Sequence, residues 1–284
     1  MTSSDSSIRD RARSWLARVV GTPELEHEQQ LLREEQLRLQ LARSVWAMDL
    51  YFDAVPVRED LLVSVVVPTR NRAELVVRAV RTVLDQSYER FELIVVNDGS
   101  TDDTAATLAA FEDPRLRVVN GEHCGQATAR NTALDLAEGD CVTYLDDDNL
   151  MHRHWLRSVV WAFTRNPDVD VVLGAYLYDD FGGLPYLHAL HVLDRDALFV
   201  RNQADMMQQA HRRNVQVRFD PDDQPFEDWG FLVHLTRDRE PLCIPALAGI
   251  YTTTAHDRLM TTSTVNEREE EVRAKLRREA GLSR

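Results

Sequence analysis

Polar, oxygen-rich clusters follow a series of short apolar runs in this chain, and they are the residues with the clearest chemical potential. Val63–Val67 runs into Pro68-Thr69-Arg70-Asn71, and Leu93–Val96 runs into Asn97-Asp98-Gly99-Ser100. Leu116–Val119 leads to Gly121-Glu122-His123, and Cys141–Leu145 ends in Asp146-Asp147-Asp148-Asn149. Each run is short, β-branched and bounded by polar residues, as a buried parallel strand is. In an open parallel sheet the carboxyl ends of the strands lie along one edge, where ligands bind. Asp98, Asp146 and Asp148 are therefore expected on one rim. Converging carboxylates repel one another unless a positive charge joins them, and a hard divalent cation, Mg²⁺ or Mn²⁺, is the simplest one. Such a cation commonly offsets charge on a diphosphate. Asp146 and Asp148 stand two apart in an extended segment, so both reach one side. Each cluster alone also reads as local structure. Asp98-Gly99-Ser100 is a fair turn with Ser100 or Asp102 as N-cap, and Asp146–Asp148 a fair helix entry. Their succession on neighbouring strand ends favours the site.

The elements that would position them alternate. Helical patterns near 72–86, 102–112 and 125–137 separate the four runs, which is the pattern of βαβ units in a doubly wound sheet. A helix from His152 to Arg165 follows, with Trp155, Leu156, Val159, Val160 and Phe163 on one face. Residues 166–284 are less regular. They predict a strand at Val169–Leu173, a loop at Gly182-Gly183 and a strand over Val192–Phe199. A helix over Ala204–Arg213, another over Gly230–Arg237 and a strand Leu242–Tyr251 broken by Pro245 follow, and a charged helix runs from Glu267 onward. At the other end, Ile8, Ala12, Trp15, Leu16 and Val19 share a helical face that stops at Gly21-Thr22-Pro23. A second helix is expected from Glu24 to Tyr51, where Leu25, Leu32, Leu39 and Trp46 recur every seventh residue. The plainest reading of that helix is that it lies on the main domain or on itself; a homodimer seam and a membrane-surface helix are the sharper alternatives.

Composition removes several function classes. The chain has 284 residues and a net charge of −14. That length suits one large domain, or one domain with an appendage. The charge argues against a grip on nucleic acid, which needs a basic footprint, and disfavours peripheral contact with anionic lipid. Three cysteines without a CxxC pair suggest neither a disulfide framework nor a zinc site, and fit a reducing, cytoplasmic setting. No signal pattern follows Met1 and no apolar run is long enough to span a bilayer. Lys275 is the only lysine and reads as an exposed tail residue; no GxxxxGK[ST] occurs, so P-loop and Schiff-base chemistry are set aside.

In order along the chain, Val63-Ser-Val-Val-Val-Pro-Thr-Arg-Asn71, Val95-Val-Asn-Asp-Gly-Ser-Thr-Asp-Asp-Thr104, Gly125-Gln-Ala-Thr-Ala-Arg-Asn131 and Tyr144-Leu-Asp-Asp-Asp-Asn149 resemble the family-2 glycosyltransferases. The resemblance covers about residues 61–255. It implies a GT-A fold, a Rossmann-like, doubly wound, mostly parallel α/β sheet flanked by helices, here with an N-terminal helical appendage. The domains would be a helical extension (1–60), the GT-A domain (61–260, with a nucleotide-binding half 61–150 and an acceptor-binding half 151–260) and a C-terminal charged helix (261–284). By the same resemblance Pro68, Thr69, Arg70 and Asn71 lie against the nucleotide, Asp98 hydrogen-bonds the base and Arg130 faces the nucleotide side. Asp146, Asp147 and Asp148 match the DxD motif. Asp148 would be the direct metal ligand, Asp146 would touch ribose or metal, and His256 would complete the Mn²⁺ or Mg²⁺ shell or contact the diphosphate beside Arg258. Asn97 and Asn149 stand where aspartates are common.

Phe226-Glu-Asp-Trp-Gly230 resembles the family's Glu-Asp motif, with Asp228 as general base and Glu227 as a positioning group or donor-sugar contact. A carboxylate near a helix N-terminus is expected to be held ionised. Glu227 and Asp228 also read as simple helix-capping residues, Trp229 as pocket or core, and His211-Arg212-Arg213 as acceptor-side or as a solvated basic cluster. The implied activity is inverting, metal-dependent transfer of a sugar from a nucleoside-diphosphate sugar, UDP-linked first among them. The acceptor is open among saccharide, lipid carrier, peptide and small molecule. A non-catalytic nucleotide-sugar-binding module and a sugar nucleotidyltransferase are the alternatives.

Overall fold

The computed structural model describes residues 23–181, 184–189, 193–252 and 264–282. The helix expected from Ile8 to Val19, the Gly182-Gly183 loop, His256 and Arg258 lie outside them. The chain divides into two units, Met1–Ala47 and Met48–Arg284. Helix α1 spans Pro23–Ala54. Of its seven-residue column, Leu32, Leu39 and Trp46 are exposed, whereas Leu41, Val45 and Met48 are half-buried. Among the described residues no helix is long and apolar enough to cross a membrane.

In the larger unit the predicted alternation appears in order. It runs β1 (Val63–Thr69), α2 (Ala73–Leu84), β2 (Phe91–Asp98), α3 (Thr104–Ala109), β3 (Leu116–Gly121), α4 (Gln126–Leu136) and β4 (Cys141–Tyr144). The chain continues through β5 (Leu150–Met151), α5 (Trp155–Arg165), β6 (Val171–Phe181), β7 (Leu184–Ala189), α6 (Arg195–Leu198), β8 (Gln209–Arg212), α7 (Glu227–Thr236), β9 (Leu242–Tyr251) and α8 (Thr264–Glu279). One sheet takes the order β3-β2-β1-β4-β8-β6-β9-β5, with β7 on β6. β1 pairs in parallel with β2 and β4, and β2 with β3. β8 is antiparallel to both β4 and β6, so β6 and its parallel partner β9 point the same way as β1.

Alternating side chains of the central strands feed two apolar layers, as a sheet covered on both faces requires. Val63, Val65, Val67, Leu93 and Val95 pack with Val76, Val80 and Val83 of α2 and with Trp155, Leu156 and Val159 of α5. Val66, Ile94, Val142 and Tyr144 face the other way, onto Ala129 and Ala133 of α4, Trp229 and Leu232 of α7, and Val272 and Leu276 of α8. α8 is thus docked by its apolar stripe. Lys275 is no free tail residue: its ammonium lies 2.5 Å from Asp220 and 2.6 Å from Asp223.

Two stretches of the second half fold differently from the pattern reading. The expected strand over 192–199 is a helical turn at Arg195–Leu198, because the Asp194 carboxylate accepts from Ala197 N and caps it. The expected helix over 204–213 is a 3₁₀ turn, Met206–Gln208, followed by β8. Gln-Ala-His-Arg has little intrinsic strand preference; the open edges of β4 and β6 recruit it. Pro245 breaks β9 as expected. The register with β6 jumps from Leu173↔Cys243 to Ala175↔Leu247, leaving Gly174 opposite the extra residues.

A Cβ on Gly174 would come within 2.5 Å of the buried Trp155 ring. That indole is itself fixed by a 2.9 Å hydrogen bond from Nε1 to Thr143 Oγ1. Gly174→Ala is expected to cost roughly 1–3 kcal/mol through overpacking, read as a lower urea midpoint at unchanged slope. An unchanged midpoint would show that Trp155 yields freely.

Candidate active site

The parallel register sets the ends of β1, β2 and β3 side by side: Thr69 pairs with Asn97, and Asp98 with Gly121. Beyond β1, Asn71 adopts φ 52°, a left-handed conformation that asparagine tolerates. Its side-chain carbonyl accepts from Thr101 N at 2.7 Å, and its own N–H donates to Ser100 Oγ at 2.9 Å. The first two strand ends are thereby tied together. Asp98 organises the next loop. Its carboxylate accepts from Cys124 N (2.7 Å), Gly125 N (3.0 Å) and His123 Nδ1 (2.8 Å), with the Cys124 thiol at 3.3 Å. Burial pushes this carboxyl up, but those donors outweigh it and leave Asp98 below the ordinary range. Four donors fill the roughly four acceptor positions of a carboxylate. A nucleobase N–H reaching Asp98 would displace the thiol or the half-exposed His123 ring.

The Asp146–Asn149 segment splits its side chains between two environments. Asp147 is buried beneath the rim, where it accepts from Thr69 Oγ1 and Arg72 Nη1, each at 2.7 Å. Burial lifts its carboxyl to about 6 against the pull of Arg72 and Thr69. The Thr69 hydroxyl is committed to this contact, whereas Arg70 is exposed. Arg72 also reaches Asp148 at 3.0 Å. Asn149 is buried; its Oδ1 accepts from Thr252 N at 3.1 Å, and the Thr252 hydroxyl donates to the Asp148 carbonyl. The end of β9 is therefore fastened to the aspartate segment.

Arg130 joins this segment to the Glu-Asp pair. It projects from α4, is 2% exposed, and donates to Asp146 Oδ1 at 2.7 Å and to Glu227 Oε1 at 2.8 Å. Its guanidinium lies 5.3 Å from the Phe219 ring centroid. Burial disfavours the charge, but Asp146 and Glu227 outweigh it and hold Arg130 ionised. Asp228 follows in the first turn of α7. Its Oδ1 accepts from Trp229 N at 2.8 Å and its Oδ2 from Asn202 Nδ2 at 2.7 Å.

The helix N-terminus does not set the ionisation of Asp228, contrary to the sequence expectation. Burial, followed by the charge of Glu227, pushes it up to about 7, and Arg130 only partly counters them. Asp205, the cap of the 3₁₀ turn, is pushed to about 8 by burial and by Asp146. Arg72, Asn202 and Asp205 were not among the expected site residues. Arg72 adjoins the first motif, but Asn202 and Asp205 carry no motif signal.

Other candidates separate cleanly. Trp229 is core, its Nε1 donating to Leu198 O at 2.7 Å. The His211–Arg213 segment is not a uniformly solvated cluster: His211 is buried, Arg212 half-buried and Arg213 exposed. His211 is buried in β8 against Tyr144 Oη at 2.8 Å and burial lowers it to about 4, while Arg212 and Arg213 donate to the main-chain carbonyls of Val169 and Gly139. Among the described residues no group of three or more His, Cys, Asp or Glu is placed to hold a metal. Asp146 and Asp148 offer hard oxygen donors, which suit Mg²⁺ or Mn²⁺ better than a thiophilic metal.

Comparison with known proteins gives this arrangement a context. Residues 64–223 match the model of glycosyl transferase family 2. The chain is 35% identical over 131 residues to glycosyltransferase GlyG of Streptococcus pneumoniae, covering 45% of this chain and 43% of that protein. It is 32% identical over 119 residues to the Escherichia coli UDP-Glc:alpha-D-GlcNAc-diphosphoundecaprenol beta-1,3-glucosyltransferase WfgD, covering 42% and 47%. The chain thus spans less than half the length of these relatives. Among solved structures, Staphylococcus aureus TarS 1-349 in complex with UDP-GlcNAc superposes with a TM-score of 0.62 at 21% identity, over 78% of this chain and 68% of that one. A Pyrobaculum calidifontis mannosyltransferase in complex with GDP-Man and Mn²⁺ gives 0.51 at 22%, over 77% and 68%. These likenesses carry the GT-A fold.

Two outcomes follow from the charges. Arg130→Met leaves two carboxylates without their cation and is expected to destabilise the fold by about 3–5 kcal/mol, measured by denaturant titration; a loss within experimental error would contradict the bridge. Asp228 titrates near 7 when folded, above its ordinary 3.8, so the folded state retains a proton that the unfolded chain releases. The resulting stability is complete below pH about 4 and is lost as pH rises through 7. Asp228→Asn is therefore expected to flatten the fall in melting temperature between pH 5 and 8; an unchanged profile would place the titration elsewhere.

Proposed function

Because the chain belongs to glycosyl transferase family 2, we propose that it moves a sugar from a nucleoside-diphosphate sugar, UDP-linked first among candidates, to an acceptor nucleophile with inversion at the anomeric carbon. The observation that carries this reading is the Arg130 bridge, which brings the Asp146–Asp148 rim and the Glu227-Asp228 pair into one site. The acceptor oxygen attacks the anomeric carbon as the bond to the diphosphate breaks, and the bonding electrons leave with the phosphate oxygen. Asp228 takes the acceptor proton. A carboxylate lifted towards 7 suits that task, because its basicity is closer to the working pH than that of an ordinary aspartate.

Asp146 and Asp148 would hold Mg²⁺ or Mn²⁺, which when bound offsets charge on the departing diphosphate. Arg130 keeps Asp146 turned towards that position and Glu227 beside the base. Asp98 holds the His123–Gly125 turn against the nucleotide end. Arg70 and Asn71 line the same edge, with Pro68 buried in β1 behind them. The described chain leaves the acceptor class open.

With Mn²⁺ and UDP-glucose or UDP-N-acetylglucosamine, the protein is expected to release UDP slowly to water in place of the acceptor. Asp228→Asn should lower that rate roughly 10²- to 10⁴-fold while donor affinity, read by thermal shift, stays near that of the parent. The parent's rate should rise with pH along a limb near 7, as Asp228 ionises. Undiminished turnover in Asp228→Asn would remove Asp228 from the role.

A further inference from the structure

We propose that Asn202 is a positioning residue for the general base: its side-chain amide fixes the direction of the Asp228 carboxylate from outside the helix that carries it. The inference rests on the preceding assignment of Asp228. Asn202 lies in the segment between α6 and the 3₁₀ turn, and Asn202 Nδ2 donates to Asp228 Oδ2 at 2.7 Å. The orientation of the amide is fixed independently. Asn202 Oδ1 accepts from Ala204 N at 3.3 Å, so the NH₂ end faces the carboxylate.

The segment is itself anchored on both sides. Trp229, the residue after the base, donates its indole N–H to Leu198 O at 2.7 Å. Asp205 and Gln208 close a capping box immediately downstream. The distance between Asn202 and Asp228 is thus set by buried packing, not by a loose surface loop.

The chemistry of the pair favours a neutral donor. Trp229 N holds Oδ1 and Asn202 Nδ2 holds Oδ2, so each oxygen gives up one lone pair and the carboxylate cannot rotate. The remaining lone pairs point in a defined direction for the incoming hydroxyl. A lysine or arginine in place of Asn202 would orient the carboxylate equally well but would depress its basicity. An amide orients it without adding charge. The charged groups that face Asp228 are Glu227 on its own helix, Arg130 from α4, Asp146 from the rim and Asp205 from the 3₁₀ turn. Three of these four are acidic, so Asn202 is the neutral side-chain donor in an otherwise charged surround.

The test uses the full chain, Mn²⁺ and UDP-glucose or UDP-N-acetylglucosamine, with UDP release as readout. Asn202→Ala is expected to lower kcat roughly 10- to 100-fold, the worth of a hydrogen bond to a charged group, with the KM for donor within about twofold of the parent. Asn202→Asp keeps the shape and reverses the electrostatics. It should move the limb of the pH–rate profile upward by about one unit or more through like-charge repulsion. Asn202→Ser, which retains a donor, should recover part of the alanine loss. Should the alanine variant fold poorly by circular dichroism, the aspartate and serine variants carry the same test.

Parent-like kcat and an unmoved limb in the Asn202 variants, with Asp228→Asn inactive, would overturn the positioning role and leave the base assignment standing. An active Asp228→Asn would overturn both.

Discussion

A single buried guanidinium organises this site. Arg130 sits between Asp146, at the end of β4, and Glu227, at the start of α7. A lone buried cation would be strongly disfavoured, as would either carboxylate facing the interior unpaired. Together they form a charge-paired triad, although Arg130 Nε and Glu227 Oε2 stay buried without a hydrogen-bond partner, and its geometry requires the carboxylate rim and the α7 terminus to approach within one side chain's reach. The Arg72 contacts to Asp147 and Asp148 repeat the device at the other end of the aspartate segment. The rim is therefore a set of carboxylates whose directions are imposed by two arginines packed beneath and beside it.

Burial and the balance of charge around Arg130 together explain the unusual acidities. Asp146, Asp205, Glu227 and Asp228 surround one guanidinium, so acid outnumbers base in a poorly hydrated region. Burial first, and this excess in addition, lift Asp205 and Asp228 well above ordinary aspartates. A group that must receive a proton from a hydroxyl benefits from that excess, and a bound divalent cation on the rim would relieve part of it. Structure and proposed chemistry thus share one cause: carboxylates buried in excess of the cations that would neutralise them.

The first half of this arrangement was legible in the sequence because it is local. Each β-branched run ends where its polar cluster begins, and parallel pairing carries Asp98, Asp146 and Asp148 to the same edge. The second half was less legible because it depends on partners distant in the chain. Nothing near Arg130 announces Glu227, and nothing near Asn202 announces Asp228. β8 is a strand because two open strand edges need it, against the preference of its own residues. The acidity of Asp228 was misjudged for a related reason: the helix terminus is visible in sequence, but the burial that outweighs it is not. Asp147, grouped with its neighbours by motif, is buried because the chain turns after β4 instead of staying extended as the sequence suggests: Asn149 N donates back to Asp146 O at 3.0 Å, and Thr69 and Arg72 hold the Asp147 carboxylate.

On the proposed reading, this carboxylate rim grips the diphosphate of a sugar nucleotide together with a divalent cation. Isothermal titration of UDP into the protein, with Mn²⁺ and then with Mn²⁺ chelated, tests it most directly. The account predicts at least about tenfold tighter binding with the metal, about 1.4 kcal/mol, and loss of that gain in Asp148→Asn. Equal affinity in both conditions, or a metal-dependent gain that survives Asp148→Asn, would contradict it.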